Sequence, residues 1–111
     1  MKKASSSYKE IREFIEANYI KDKEKIDKIG IEDYNDHVID KVLGKELFEN
    51  EVDEFLYMLA ICVIMRKMKL NDEYFFNSIE ELIKSYKEGL YDLFLFDKND
   101  IELINKDIKL I

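Results

Sequence analysis

The stretch that decides the fold is NEVDEFLYMLAICVIMRKMK, which spans residues 50–69. Its middle, residues 55–65, contains no charged side chain, and a helix that is apolar on every side must be buried all round. Asn50 suits an N-cap, acidic residues follow it in the first turn, and basic residues occupy the last turn, as the helix dipole favours. The sequence therefore predicts a central buried helix over residues 51–69.

The segments before this helix have the spacing of amphipathic helices. Ser7 and Glu10 form a capping box that begins the first one. Residues 20–30 are mostly charged and either continue that helix or form a short second helix ending at Gly30. Residues 31–44 predict a further helix that ends at Gly44, with a core face made of Ile31, Tyr34, Val38, Ile39, Val42 and Leu43.

The segments after the central helix are less uniform. Residues 70–77 are predicted to be a connector whose aromatic side chains fill the core, and a second capping box, residues 78–81, predicts a helix that Gly89 ends. Residues 91–96 suit either a strand or a helical turn. Ile101, Ile104 and Ile108 have helical spacing, so a helix is favoured over residues 91–111, with a terminal β-hairpin as the alternative.

Length and composition fit one helical domain. The chain has 111 residues, no proline and three glycines, which is typical of an all-α domain. We therefore predict a single domain over residues 1–111, with five to six helices around the central one and a flexible tail over residues 1–6. The one cysteine, Cys62, cannot form a disulfide within the chain and is expected to act as a small buried apolar side chain.

The sequence also bears on cellular location. The basic N-terminus is not followed by the apolar segment of a secretory signal, and the longest apolar run is shorter than the roughly 18 residues that a membrane span needs. We expect a cytoplasmic protein that does not insert into a membrane.

The negative charge is concentrated in one window. The formal net charge of the whole chain is -7, and residues 32–54 carry nine acidic and two basic side chains, which alone gives -7. Asp33, Asp36 and Asp40 repeat at i, i+3 and i+7, and so do Glu46, Glu49 and Asp53 if a helix begins near Lys45. Clustered like charges are mildly destabilising in a helix, so the window is either a solvated surface or a docking face for a basic partner.

These patterns give a set of candidate binding residues and no catalytic ones. The predicted partner-binding residues are the acidic side chains of the window together with one tyrosine beside them, since tyrosine is common in interfaces: Asp33, Tyr34, Asp36, Asp40, Glu46, Glu49 and Asp53. Direct binding of nucleic acid is disfavoured by the net charge.

Motifs for catalysis, metals and cofactors are missing from the sequence. His37 is the one histidine, which excludes zinc sites built from Cys and His clusters as well as the usual carboxylate–histidine site of helical bundles. No glycine-rich phosphate loop or calcium loop occurs. We therefore expect no metal, no cofactor and no enzymatic activity.

In size, acidity and helical character the chain resembles the bacterial immunity proteins of polymorphic toxin systems, including those of contact-dependent growth inhibition. The resemblance covers the whole chain by size and residues 32–54 by charge. It implies tight binding to a cognate toxin domain, often a basic nuclease, with the acidic residues facing its nucleic-acid cleft. The alternatives are a nucleic-acid mimic (an anti-restriction or anti-CRISPR inhibitor) and a helical adaptor or regulator that binds through Phe75, Phe76, Phe94 and Phe96.

Overall fold

Helices account for the regular structure in the described part of the chain. The computed structural model describes residues 7–91 and 96–111. It contains α1 (Tyr8–Lys21), α2 (Lys23–Ile29), α3 (Ile31–His37), a π-helix (Val38–Leu43), a 3-10 helix (Lys45–Glu49), α4 (Glu51–Met68), α5 (Glu73–Lys87) and α6 (Lys98–Ile108). No strand occurs in these two ranges, so the predicted all-helical fold is confirmed. The predicted tail, residues 1–6, and residues 92–95 of the ambiguous segment 91–96 lie outside the described residues.

Helix α4 is the central helix that the sequence predicts. Every side chain from residue 58 to residue 65 is buried. The helix therefore has no solvent-exposed side over more than two full turns. Asn50 is the N-cap, and its Oδ1 accepts hydrogen bonds from the backbone N–H groups of Val52 (2.9 Å) and Asp53 (3.1 Å). The helices α1, α5 and α6 and the 3-10 helix all pack against α4.

Helix α1 begins with the predicted capping box. Ser7 Oγ accepts from the backbone N–H of Glu10 at 3.2 Å, and Glu10 Oε1 accepts from the backbone N–H of Ser7 at 3.0 Å. The helix ends at Asp22, whose backbone leaves helical geometry, and α2 begins directly after it. The choice left open for residues 20–30 is thus decided in favour of a short second helix.

The predicted helix over residues 31–44 changes its winding halfway. It is α-helical as far as His37 and then continues as the π-helix, in which hydrogen bonds run from i to i+5. In this wider turn, Leu43 is partly buried and packs against the core. Val42 is 42% exposed, and the prediction that it belongs to the core face was wrong.

Helix α5 begins six residues before the predicted start, with its N-cap at Asp72 instead of Ser78. Asp72 is its N-cap, with Oδ1 accepting from the backbone N–H of Phe75 at 3.4 Å, so the predicted connector 70–77 and the capping box at Ser78 were wrong. Because the helix already includes residues 73–77, Phe75 and Phe76 point inward while Tyr74 is 73% exposed. Because Phe75 and Phe76 are buried, they cannot form the exposed contact surface that the adaptor hypothesis assigned to them.

Helix α6 replaces the alternative hairpin over residues 98–108 and holds the start of α1. Its Asp100 accepts hydrogen bonds from the backbone N–H groups of Tyr8 (3.1 Å) and Lys9 (3.4 Å), which α1 itself leaves without partners. The Tyr8 hydroxyl donates to Asp107 at 2.6 Å. Arg12 Nε lies 3.3 Å from the same carboxylate in an ion pair that lacks hydrogen-bond geometry.

A second buried polar chain links α1, α3 and the start of α5. The Tyr19 hydroxyl donates to Asn35 Oδ1 at 2.5 Å, and Asn35 Nδ2 donates to Asp72 Oδ2 at 2.9 Å. All three side chains are almost completely buried. Since a buried polar group without a partner is costly, these bonds fix how the three helices meet.

We expect Leu59→Ala to lower the free energy of unfolding by about 2–5 kcal/mol, because it opens a cavity on a fully buried face of α4. Urea denaturation checks this. The matched control is Leu110→Ala at a half-exposed position, which should cost less than about 0.5 kcal/mol. Equal losses in the two variants would contradict the central place of α4.

We also expect the protein to lose stability above about pH 10. Burial, followed by the hydrogen bond to Asp107, raises the pKa of Tyr8, and burial raises the pKa of Tyr19. Above pH 10 the unfolded chain releases these protons while the folded protein keeps them, so rising pH favours unfolding by about 1.4 kcal/mol per pH unit for each tyrosine.

Urea midpoints measured across alkaline pH check this expectation. Tyr8→Phe should be less stable than the parent at neutral pH, because Asp107 loses its donor, and should show a shallower alkaline decline. Tyr74→Phe, at an exposed position, should match the parent at every pH. A parent protein whose stability does not fall in alkali would contradict the buried hydroxyls.

Candidate protein-binding face

Five of the seven predicted binding residues lie at the surface along one continuous path of the chain. Asp33 and Asp36 are on α3, Asp40 is in the π-helix, and Glu46 and Glu49 are in the 3-10 helix, and all five are exposed. We call these five residues the acidic face. The path wraps round to α4, because the π-helix contacts the 3-10 helix and the 3-10 helix contacts α4.

Tyr34 and Asp53, which were expected at the surface, are buried. Tyr34 is 1% exposed, and its hydroxyl donates to Asp22 Oδ2 at 2.7 Å, which joins α3 to the α1–α2 junction. Its ring lies edge-on to the Tyr19 ring, with 4.8 Å between centroids. Tyr34 is thus a core residue, and burial raises its pKa, followed by the bond to Asp22.

Asp53 is buried, with 7% of its surface exposed, because the helix that the sequence spacing assumed is interrupted. The predicted repeat of Glu46, Glu49 and Asp53 needs one continuous helix from Lys45. Instead, the chain passes through the extended conformation at Asn50 between the 3-10 helix and α4. The break turns Asp53 away from the other two carboxylates and places it in the first turn of α4.

The acidic face keeps most of its negative charge uncompensated. In residues 7–91 and 96–111, the one ion pair that involves it joins Asp40 Oδ1 to Lys45 Nζ at 3.8 Å, and both side chains are exposed. Such surface pairs are worth about 0–1 kcal/mol. The face therefore presents a negative potential to solvent, which would attract a basic surface.

A groove of about 370 Å³ lies between α1 and the π-helix, 3-10 helix and α4. We call it the apolar groove, and six of the seven side chains that line it are apolar or aromatic: Glu10, Ile11, Phe14, Val42, Leu43, Leu47 and Tyr57. Phe14 and Val42 at its mouth are 45% and 42% exposed. Leu47 stands between Glu46 and Glu49 in the chain, so the groove and the acidic face are neighbours.

Sequence analysis did not identify this groove, although α1 carried a signal for it. Tyr8, Ile11, Ile15 and Tyr19 already complete the buried stripe of α1, so Phe14 beside them is an extra large apolar side chain on the flank. Val42 was assigned to the core because its spacing assumes an α-helix, and the π-helix is what turns it outward.

A second groove, of about 440 Å³, has the opposite electrostatic character. It lies between the α1–α2 junction and the end of α4, and its lining combines apolar and mostly basic side chains: Ile20, Lys23, Ile26, Asp27, Lys67, Met68, Lys69 and Leu70. The lysines of its α4 wall stand at the C-terminal end of that helix, where the helix dipole favours cations. Their position is thus accounted for by the stability of α4.

Cys62 and His37 lie in unrelated surroundings. Cys62 is fully buried in α4 with its Sγ 3.7 Å from the carbonyl oxygen of Phe75, and burial, followed by the charge of Asp72, raises the pKa of the thiol to about 12. His37 Nε2 lies 3.5 Å from Lys25 Nζ. The thiol is thus held in its protonated form, which is not the nucleophilic one.

Two further features are missing from the described part of the chain. Across residues 7–91 and 96–111, no group of three or more His, Cys, Asp or Glu side chains is arranged to hold a metal ion. In the same ranges, no helix is both long enough and apolar enough to cross a lipid bilayer.

Comparisons with known proteins give no match to this chain. No protein-family model fits the sequence, and neither a curated protein nor a solved structure matches it.

We expect Cys62 to react with a disulfide reagent such as Ellman's reagent only when the protein opens, because the thiol is buried and protonated. The rate of thiol release in native buffer, compared with the rate in denaturant, measures this. Native labelling should be slower by a factor that approaches the unfolding equilibrium constant. Equally fast labelling in both conditions would show that Cys62 is accessible.

Proposed function

We propose that this protein is an immunity protein that binds and neutralises a cognate bacterial toxin domain, of the basic nuclease type, through the acidic face. The observation that carries the proposal is the exposure of Asp33, Asp36, Asp40, Glu46 and Glu49 along one path, with a single weak ion pair among them. Neighbouring carboxylates repel one another, and this repulsion lowers the stability of the free protein. A basic partner would relieve that repulsion on binding.

The mechanism that follows is competitive blockade. A nuclease binds nucleic-acid phosphates through Lys and Arg side chains. The exposed carboxylates of the acidic face would occupy those side chains and exclude the nucleic acid. The long-range attraction between the two surfaces would also speed their encounter and would weaken as salt rises.

The scaffold supports this function because the acidic face is held on a well-packed support. The buried Tyr34 ties α3 to the α1–α2 junction, and Asn35 ties it to the start of α5. Little conformational freedom would then be lost at α3 on binding, which favours affinity. The acids are confined to one run of the chain rather than spread along its length as phosphates are along a duplex, which favours a compact basic domain as the partner over a protein that binds long DNA.

The proposal is tested by capturing the partner and then assaying it. The tagged protein is used to recover proteins from lysate of its source cells at low salt, and the partner that co-elutes in equal amount is identified and purified. We expect a domain with a basic surface and nuclease activity. The purified protein should inhibit that activity at a ratio of one to one.

Charge reversal then locates the interface. Asp36→Lys and Glu49→Lys, both at exposed positions, should each weaken binding by about tenfold or more, because each places like charges face to face. Glu81→Lys on the exposed side of α5 makes the same change of charge outside the acidic face and should leave affinity within about twofold. The proposal fails if all three variants bind equally well, or if the partner is not inhibited.

A further inference from the structure

The apolar groove has a lining and a position that suit a protein anchor. We infer that it receives one large apolar side chain of the partner, carried on a segment in which Lys or Arg flank that side chain. This inference rests on the proposed function, since it assigns the groove to the same interface as the acidic face. It adds a specific apolar contact at a site that charge alone does not identify.

The first argument is the exposure of apolar side chains at the groove mouth. Phe14 and Val42 are each more than two-fifths exposed, on different elements that face the same opening. Two large apolar side chains that meet over an unfilled concavity form a surface that another apolar group would cover. Interfaces concentrate their affinity at such a packed point, with aromatic residues as its walls, and Phe14 and Tyr57 provide them here.

The second argument is that the backbone itself builds the groove. In an α-helix Val42 would share the face of the buried Val38, four residues before it, whereas in the π-helix Val42 is 42% exposed and Leu43 packs partly buried against the core. π-helical turns are rare and frequently occur at functional sites. The irregular winding thus forms one wall of the opening, and the same segment carries Asp40 of the acidic face.

The third argument is the charge around the opening. The one charged side chain that lines the groove is Glu10, whose pKa is lowered by hydrogen bonds from the backbone and side chain of Ser7, so it stays ionised. Along the chain, Glu46 and Glu49 lie on either side of Leu47, while Lys41 precedes Val42 and Lys45 is paired with Asp40. No lysine or arginine is among the lining residues. An apolar group on an acidic segment would be repelled, while one between basic residues would be attracted.

The same charges argue against a second copy of this chain as the occupant. Two copies would each bring a formal net charge of -7 and would set their acidic faces close together if they met at this groove. The occupant that fits both the apolar lining and the acidic rim is a basic partner segment.

The test uses a random-peptide library displayed on phage, selected on the immobilised protein at low salt. We expect enriched peptides to share one large apolar residue, such as Phe, Leu or Met, with Lys or Arg on both sides. Binding of a synthetic copy of the leading peptide should weaken by about tenfold in Val42→Lys, which puts a cation at the groove mouth, and in Phe14→Ala. Both positions are exposed, so the variants should keep the circular dichroism and the thermal midpoint of the parent.

Ile20→Ala is the control, because Ile20 is also an exposed apolar side chain but lines the other groove. It should bind the peptide as the parent does. Basic peptides without a shared apolar residue, unaffected by Val42→Lys, would overturn the inference and leave the proposed function standing. Apolar peptides without basic residues would overturn the inference too, because its occupant carries Lys or Arg beside the apolar side chain, and would leave the proposed function to its own capture experiment.

Two remaining outcomes would also overturn the inference. One is that no peptide is enriched over a selection on Val42→Lys. The other is a dimer of the parent in analytical ultracentrifugation that Val42→Lys abolishes, since the groove would then be covered by a second copy of the chain.

Discussion

Burial of α4 on all sides is the constraint from which the rest of the structure follows. A helix with no wet face over residues 58–65 is stable in water only if other elements cover its whole circumference. The covering is supplied by α1, α5, α6 and the 3-10 helix. Each of these needs only one apolar stripe, so its remaining faces are free to carry charge.

Buried polar bonds decide how that covering is arranged. Apolar stripes alone allow helices to slide, whereas a buried hydroxyl or carboxylate must meet its partner or lose about 1–3 kcal/mol. Tyr8 and Asp107 fix α1 against α6, and Tyr19, Asn35 and Asp72 fix α1, α3 and the start of α5. The acidic residues that remain at the surface are those that the fold does not use in this way.

The link from packing to the proposed function is the irregular run between α3 and α4. The chain passes from the end of α3 to the start of α4 through a π-helix, a 3-10 helix and an extended Asn50. This winding turns Asp40, Glu46 and Glu49 outward, turns Asp53 inward and opens the apolar groove at Val42. A regular helix would have produced a different surface.

Sequence patterns predicted the parts of the structure that depend on composition or on strong local signals. The absence of charge over residues 55–65 identified α4, and Ser7 with Glu10 identified the start of α1. Patterns failed where two local signals competed, as at Asp72 and Ser78, which are both good N-caps. With the N-cap at Asp72, Phe75, Phe76 and Ile79 are all buried on one helix.

The candidate site was predicted in part. Charge clustering located the acidic residues, because exposure of acidic side chains is the general rule. Charge clustering placed Tyr34 and Asp53 at the surface, where they do not lie, and it did not reveal the apolar groove. These features depend on the π-helical and 3-10 turns and on long-range hydrogen bonds, which residue spacing does not contain. The groove lies between residues of α1, the π-helix, the 3-10 helix and α4, which are far apart in the sequence.

The most direct test of the central claim is amide hydrogen exchange of this protein, free and in complex with the partner captured from its source cells. The account predicts that the free protein exchanges most slowly in α4, and that the partner adds protection in residues 33–49 and around Phe14 while leaving α5 unchanged. Added protection confined to α5 or α6, with residues 33–49 unaffected, would contradict it.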